Sequence, residues 1–172
     1  MHAKRPDFPT FAIWLLVIFS ALLITLLHYA SNNLFSKEPS EITVRIGTEG
    51  VSWAMAKNTW HGEIYDRESV FVAYEQAGLM PTVVTEGDEV KITMGGSIPD
   101  SVTLREYALS SNTQSIYGDS TLLQELIFYF GVKSGTFNIP SDPEHPVRGY
   151  ILTCTWGENT CEYAIVVQVL PD

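Results

Sequence analysis

Two cysteines, Cys154 and Cys161, are the residues of this chain best suited to chemistry, and six residues separate them. A zinc site needs about four ligands, commonly in closely spaced pairs, and the nearest histidine, His145, lies in a Pro-rich connector. The C-x-x-C spacing of a redox pair is absent. Apolar residues alternate on both sides of "WGENT", which predicts a hairpin with the two cysteines opposite each other. Because opposed strand residues lie within disulfide range, we predict a Cys154–Cys161 disulfide.

The segment "HGEIYD" contains the other cluster that could support acid–base or metal chemistry, with His61, Glu63 and Asp66. Three such residues in a short polar loop often occur together by chance. The sequence contains no G-x-S-x-G nucleophile motif, no H-E-x-x-H zinc motif and no convincing phosphate-binding loop. We therefore expect no catalytic residue, no metal site and no cofactor, and an envelope enzyme that uses the His61 loop is kept as an alternative.

Trp53 and Trp60 are candidates for an exposed aromatic surface that binds a glycan or a peptide, together with His61. Aromatic rings with a polar edge are common at binding surfaces. The alternative is that at least one of these rings belongs to a hydrophobic core, because β-sandwiches bury large aromatic side chains. The sequence leaves both interpretations open.

The N-terminal part of the chain carries an apolar run at residues 11–30, "FAIWLLVIFSALLITLLHYA". No Asp, Glu, Lys or Arg occurs at residues 8–36. Twenty helical residues span about 30 Å, the thickness of the hydrocarbon core of a bilayer. Lys4 and Arg5 precede the run, and basic residues favour the cytoplasmic side. These features predict a transmembrane anchor with its N-terminus in the cytoplasm and the rest of the chain outside.

A cleaved signal peptide is the competing interpretation of the same run. Ala30 could be the last residue removed, but His28 lies two positions before it, where a small residue is required. Either interpretation places the C-terminal part outside the cytoplasm, where disulfides persist. The sequence predicts four regions: a cytoplasmic tail at 1–10, a transmembrane helix at 11–30, a linker at 31–40 and an extracytoplasmic domain at 41–172.

Composition limits the remaining function classes. The chain has 172 residues, 45% of them hydrophobic, so it can bury a core of ordinary domain size. Its formal net charge is −10. Nucleic-acid binding requires clustered Lys and Arg, and no basic stripe occurs, so we expect no nucleic-acid partner.

The exported part reads mainly as short strands separated by turns. Alternating apolar residues predict strands at 41–47, 100–109 and in the closing hairpin, and shorter strands around "EGDE" and at "GTFNIP". Residues 66–78 are the best candidate for a helix, which Asp66 would cap and Gly78 would end. Residues 122–132, "LLQELIFYFGV", fit a strand or a short helix. The pattern predicts a mainly all-β fold, an antiparallel sandwich with one short helix.

Residues 82–170 resemble bacterial immunoglobulin-like β-sandwich domains, which occur on membrane-anchored extracytoplasmic proteins, often of Gram-positive bacteria. The similarity lies in "GDEVKITMGGSIPD", in "FNIP", and in the closing pair "GYILTCTW" and "CEYAIVVQV". Tyr150, Trp156 and Tyr163 match the closing hairpin of such domains. The resemblance implies an immunoglobulin-like fold and an extracytoplasmic location, and it brings no catalytic residues.

These features predict a single-pass membrane protein that presents a non-catalytic binding domain. Its partner would be another envelope protein or a cell-wall component. The alternative is an accessory or regulatory subunit of a membrane complex, with the anchor as part of the interface.

Overall fold

The computed structural model describes residues 10–34, 39–65, 70–110 and 119–170. The chain divides into two compact units, Met1–Lys37 and Glu38–Asp172. The first unit contains one helix and the second contains all the described strands.

Helix α1 (Thr10–Leu34) contains the apolar run that the sequence singles out. Its side chains are described at residues 12–27, and the large apolar ones among them are exposed all round the helix. The hydroxyls of Ser20 and Thr25 donate to the backbone carbonyls of Leu16 and Ala21, both at 2.7 Å. Within the described residues, no helix combines the length and the hydropathy that a membrane span requires.

The second unit is built from two sheets that are antiparallel except for one ladder, as the sequence predicts for an all-β fold. Sheet A has the strand order β2-β1-β6-β10-β9, and sheet B has the order β4-β3-β12-β11-β7-β8, with β5 added in parallel to β12. The strands are β1 (Ile42–Ile46), β2 (Glu49–Val51), β3 (Trp53–Trp60), β4 (Glu63–Tyr65), β5 (Thr82–Thr85), β6 (Glu89–Met94), β7 (Ser101–Ser110), β8 (Asp119–Leu126), β9 (Tyr129–Phe130), β10 (Ser134–Asn138), β11 (Val147–Trp156) and β12 (Asn159–Leu170).

The two sheets share one hydrophobic core. Period-2 alternation places one apolar face of each strand inward, so that Val44 and Ile92 of sheet A and Leu152 and Ile165 of sheet B are all buried in the same cluster. Phe137 of sheet A contacts Tyr150 of sheet B, with ring centroids 5.0 Å apart. This shared core holds the two sheets face to face.

A second, smaller core covers the opposite face of sheet B. Helix α2 (Val72–Gln76) packs its Ala73 and Tyr74 there, against residues of β12 such as Val166. Strand β12 is therefore buried on both faces, which explains the unbroken apolar run "AIVV" that departs from simple alternation. The predicted helix at 66–78 is wrong at Val70 and Phe71, which form a turn before α2 begins at Val72. Asp66, its proposed cap, lies outside the described residues, while Gly78 ends the helical turn with a φ of 68°, as predicted.

Two other segments have a conformation that the sequence left open or predicted differently. Residues 122–132, which fit either a strand or a helix, form most of β8 and all of β9. The segment that begins with His61, treated above as a short polar loop, forms a tight turn after β3 and then the edge strand β4. In both places pairing with a neighbouring strand decides the conformation, and a single segment carries no information on that pairing.

Gly149 of β11 is the site at which the second core comes closest to the sheet backbone. A Cβ atom built on Gly149 would lie 2.3 Å from Cζ of Phe71 and 2.9 Å from a methyl carbon of Leu109. Both neighbours are buried, so neither can move away freely.

We predict that Gly149→Ala lowers the free energy of unfolding by about 1–3 kcal/mol, because the added methyl overpacks the contact with Phe71. Urea denaturation of the full chain in detergent measures the change. Gly50→Ala is the matched control, since Gly50 is also a strand glycine and a Cβ there meets nothing within 4 Å. Equal stability of the two variants would contradict the prediction.

Candidate interaction surface

Trp60 lies at the end of β3, where it is 6% exposed. Its ring packs edge-to-face on Trp156, with centroids 5.4 Å apart. Trp53 is half-buried against the same core and packs edge-to-face on Tyr163 at 5.7 Å. The structure therefore places Trp60 in the core and Trp53 against it, as the core interpretation of the sequence expected. A binding role for Trp53 stays a prediction.

His61 lies in the tight turn between β3 and β4, where its φ is 51°. Its backbone N–H donates to the Oδ1 of Asn159 at 2.9 Å, which ties the turn to the start of β12. Glu63 is exposed on β4, and Asp66 lies outside the described residues. Among the residues that the structure describes, no group of three or more His, Cys, Asp or Glu side chains could hold a metal ion.

The predicted strand register around the two cysteines is confirmed, but the predicted disulfide is wrong. Cys154 and Cys161 are Cα partners across β11 and β12, but both thiols are free and buried. A two-residue turn makes Trp156 and Asn159 a hydrogen-bonded pair, and such pairs alternate along the ladder, so Cys154 and Cys161 form another. The Cβ atoms of a hydrogen-bonded pair lie about 5.5 Å apart, whereas a disulfide needs about 3.8 Å.

Burial keeps both thiols protonated. It raises the pKa of Cys161 to about 12 and that of Cys154 well above its ordinary value. Because the thiolate is the nucleophile and the metal ligand, these cysteines behave in the folded protein as small apolar core residues.

The most extensive polar cluster surrounds Arg148 of β11, which is 0% exposed. Its Nε donates to the carbonyl oxygen of His145 at 2.9 Å, and its Nη2 donates to that of Asp142 at 2.6 Å. Its Nη1 donates to the carbonyl oxygen of Pro140 and, at 3.4 Å, to Oε1 of Glu106. The Pro-rich connector is therefore folded around a buried guanidinium.

Glu106 of β7, 1% exposed, is the buried counter-charge of Arg148. Its Oε1 also accepts a hydrogen bond from the hydroxyl of Tyr150 at 2.8 Å, and its Oε2 accepts one from Nε2 of Gln124 at 2.7 Å. Burial, reinforced by the nearby carboxylate, raises the pKa of Tyr150, so this hydroxyl stays a donor. The cluster thereby joins β7, β8 and β11.

A second carboxylate, Glu86, holds the outside of the connector. Its Oε2 accepts a hydrogen bond from the hydroxyl of Ser141 at 2.7 Å, and its Oε1 lies 3.9 Å from Nη2 of Arg148. Nδ1 of His145 lies 2.7 Å from Oδ2 of Asp142, and this hydrogen bond holds the pKa of Asp142 below its ordinary value. The polar groups of the cluster satisfy one another, which suits a structural role.

This cluster is not among the sites predicted from the sequence, although the strands carry a signal for it. Arg148 shares the inward-facing positions of β11 with Tyr150 and Leu152, and Glu106 shares those of β7 with Leu104. Charged residues are almost never fully buried without a partner. Two opposite charges on inward-facing positions of neighbouring strands therefore indicate a buried pair.

An exposed apolar surface lies where β8 leads into β9 and β10. We call it the β8–β9 apolar edge, and it consists of Ile127 (75% exposed), Tyr129 (77%) and Val132 (83%). Between them, Phe128 and Phe130 turn inward and pack against the shared core. β8 and β9 are the last strands of sheets B and A on this side.

This edge is the best candidate for an interaction surface, because clustered large apolar side chains in water mark binding sites more often than isolated ones do. The segment "LIFYFGV" carries the signal in its sequence: it is apolar at odd and even positions, yet β9 is an edge strand with only one face toward the core. Without the sheet order, the sequence does not distinguish such a segment from a central strand.

We predict that Arg148→Met lowers the free energy of unfolding by about 3–5 kcal/mol, because the buried carboxylate of Glu106 then loses its counter-charge. Denaturant titration of the full chain measures the loss. Arg105→Met is the matched control: Arg105 contacts Glu125 at 3.4 Å with both side chains exposed, and such pairs contribute less than about 1 kcal/mol. Similar losses of unfolding free energy in the two variants would contradict the prediction that the buried ion pair stabilises the fold more than the exposed one.

Comparison with known proteins finds no family model and no curated protein that matches this chain. The resemblance to bacterial immunoglobulin-like domains therefore rests on the residues of the chain alone. Geometry, burial and charge carry the functional interpretation.

Proposed function

We propose that this chain is a single-pass membrane protein that presents a non-catalytic, immunoglobulin-like binding domain outside the cytoplasm. The observation that carries the binding role is the β8–β9 apolar edge. The proposed partner is another protein of the cell envelope, which contributes an extended apolar segment.

The charge-free stretch of residues 8–36 supports the membrane anchor. The large apolar side chains described in α1 are exposed. The hydroxyls of Ser20 and Thr25 bond to carbonyls within α1, which suits hydrocarbon, where an unsatisfied polar group is costly. Lys4 and Arg5 support a cytoplasmic N-terminus.

The immunoglobulin-like assignment is supported by the two face-to-face sheets and by the closing hairpin of β11 and β12. The three aromatic residues that carry the resemblance, Tyr150, Trp156 and Tyr163, are all buried in the shared core. Domains of this architecture serve many binding roles, so the fold is compatible with the proposal. The binding partner must be inferred from the surface residues.

The exposed edges of strands β8 and β9 favour a protein partner. β8 and β9 end their sheets, so within the described part of the chain no further strand pairs with their outward backbone N–H and C=O groups, which can pair with an added strand. Ile127, Tyr129 and Val132 lie beside those groups and offer apolar contact. Backbone pairing together with apolar anchors is the usual basis of recognition by strand addition.

Membrane topology is tested with a cysteine introduced at Glu158, an exposed position of the β11–β12 turn. We expect Glu158→Cys on intact cells to react with a membrane-impermeant maleimide, and His2→Cys to react only after permeabilisation. The parent protein supplies the blank, because its own two thiols are buried. Labelling of His2→Cys on intact cells, or protection of Glu158→Cys, would contradict the proposed orientation.

The binding surface is tested with a photocrosslinking amino acid at Tyr129 of the full chain in its native membrane. We expect one discrete crosslinked product that Val132→Ser reduces at least about tenfold, the loss expected when an apolar anchor is truncated. Ile64 is the matched control position, since it is 74% exposed on β4, the other edge of sheet B.

Equal crosslinking from positions 129 and 64 would show non-specific proximity. No product at position 129 would remove the β8–β9 apolar edge as the binding surface. We expect Val132→Ser to retain the fold, because Val132 is exposed in a loop. Circular dichroism checks this.

A further inference from the structure

The outer face of sheet A carries two cations that lie opposite each other on neighbouring strands. Val44 and Ile92 point into the core, so their neighbours Arg45 on β1 and Lys91 on β6 point away from it. Thr43 and Thr93 continue the same outward face. Two cations and two hydroxyls thus lie together on a protein with a formal net charge of −10.

Arg45 and Lys91 are Cα partners in the β1–β6 ladder. Like charges directly opposite each other on one face of a sheet repel and destabilise the pair. Among the described residues, neither cation forms an ion pair, although Glu89 lies on the same outward face of β6 as Lys91 and Glu41 directly precedes β1. The other described arginines, Arg105 and Arg148, both contact glutamates.

The same residues line a shallow depression of about 350 Å³. Its lining is formed by Thr43, Arg45, Gly47, Lys91 and Thr93. The depression is open at Gly47, because a Cβ added there would meet nothing within 4 Å. A small ligand therefore has access to both cations at once.

We propose that this depression binds a phosphate group, held between the guanidinium of Arg45 and the ammonium of Lys91. The arginine offers a planar fork of N–H donors that matches two phosphate oxygens, and the lysine adds a compact charge. The hydroxyls of Thr43 and Thr93 add donors for the remaining oxygens. A doubly charged phosphate also neutralises the repulsion between the opposed cations, which a singly charged carboxylate does only in part.

This site is independent of the β8–β9 apolar edge, since it uses β1 and β6 and shares no residue with it. Its failure would leave the proposed protein-binding role untouched, and the reverse holds as well.

The test is a titration of the full chain, in zwitterionic detergent at constant ionic strength, with inorganic phosphate. We expect saturable NMR shifts of the backbone amides of Arg45, Lys91 and Thr93. Arg45→Gln is expected to weaken phosphate binding about tenfold, and Arg45→Gln with Lys91→Gln is expected to abolish it. Arg105→Gln, the matched control, removes the same charge from the other sheet and is expected to leave binding unchanged.

Thermal unfolding provides a second readout. Phosphate is expected to raise the Tm of the wild type and not that of the double variant, because a ligand stabilises only the state that binds it. Without phosphate, Lys91→Gln is expected to raise the Tm by about 1–2 °C through relief of like-charge repulsion. Equal phosphate effects on the wild type and the double variant would overturn the proposal, as would acetate acting as strongly as phosphate.

The phosphate could come from solution or from a lipid headgroup, and two membrane compositions separate these sources. The full chain is compared in nanodiscs of phosphatidylcholine alone and with added phosphatidylglycerol. Shifts at Arg45 and Lys91 that need only dissolved phosphate assign a soluble ligand. Shifts that follow the phosphatidylglycerol fraction, without dissolved phosphate, assign a headgroup. The absence of shifts under both conditions would overturn the proposal.

Discussion

The guanidinium of Arg148 is the constraint around which sheet B and its connector are arranged. A buried cation is tolerated only when its hydrogen-bonding capacity is met, and here three backbone carbonyls and Glu106 meet it. Those carbonyls belong to one connector, so the chain between β10 and β11 is fixed by the charge it surrounds. Glu106 in turn bonds to β8 through Gln124. One buried charge thereby orders a loop, and its counter-charge adds a side-chain hydrogen bond to the β7–β8 ladder.

Strand alternation made most of the fold predictable from the sequence. The closing hairpin, its register and the opposed cysteines all follow from period-2 patterns that local sequence expresses directly. The disulfide did not follow, because register brings two Cα atoms opposite each other, while the bond depends on whether the pair falls on a hydrogen-bonded position. The β8–β9 apolar edge and the Arg148 cluster depend on which strands are neighbours, and that information is distributed over distant segments.

The surface of the domain carries two different kinds of chemistry on separate elements. One surface exposes apolar side chains beside the edge strands β8 and β9, and the outer face of sheet A places two cations opposite each other. The predicted aromatic surface behaves differently: Trp60 and Trp156 support each other inside the core. The tryptophans of the predicted aromatic surface therefore contribute mainly to stability, whereas the opposed cations of sheet A and the exposed Ile127, Tyr129 and Val132 distinguish the surfaces of the domain.

Strand β12 pairs with β11, β3 and β5, and two of these partners lie early in the domain. Pairs such as Thr59 and Thr160 are far apart in the chain, so a large loop must close before their contacts form. Folds with such non-local pairing reach the native state slowly. Until β12 docks, β3 has an open edge and the apolar run of β12 stays in water, where both attract other chains. A chaperone that shields β3 and β5 until β12 docks would therefore limit such association while the non-local pairs form.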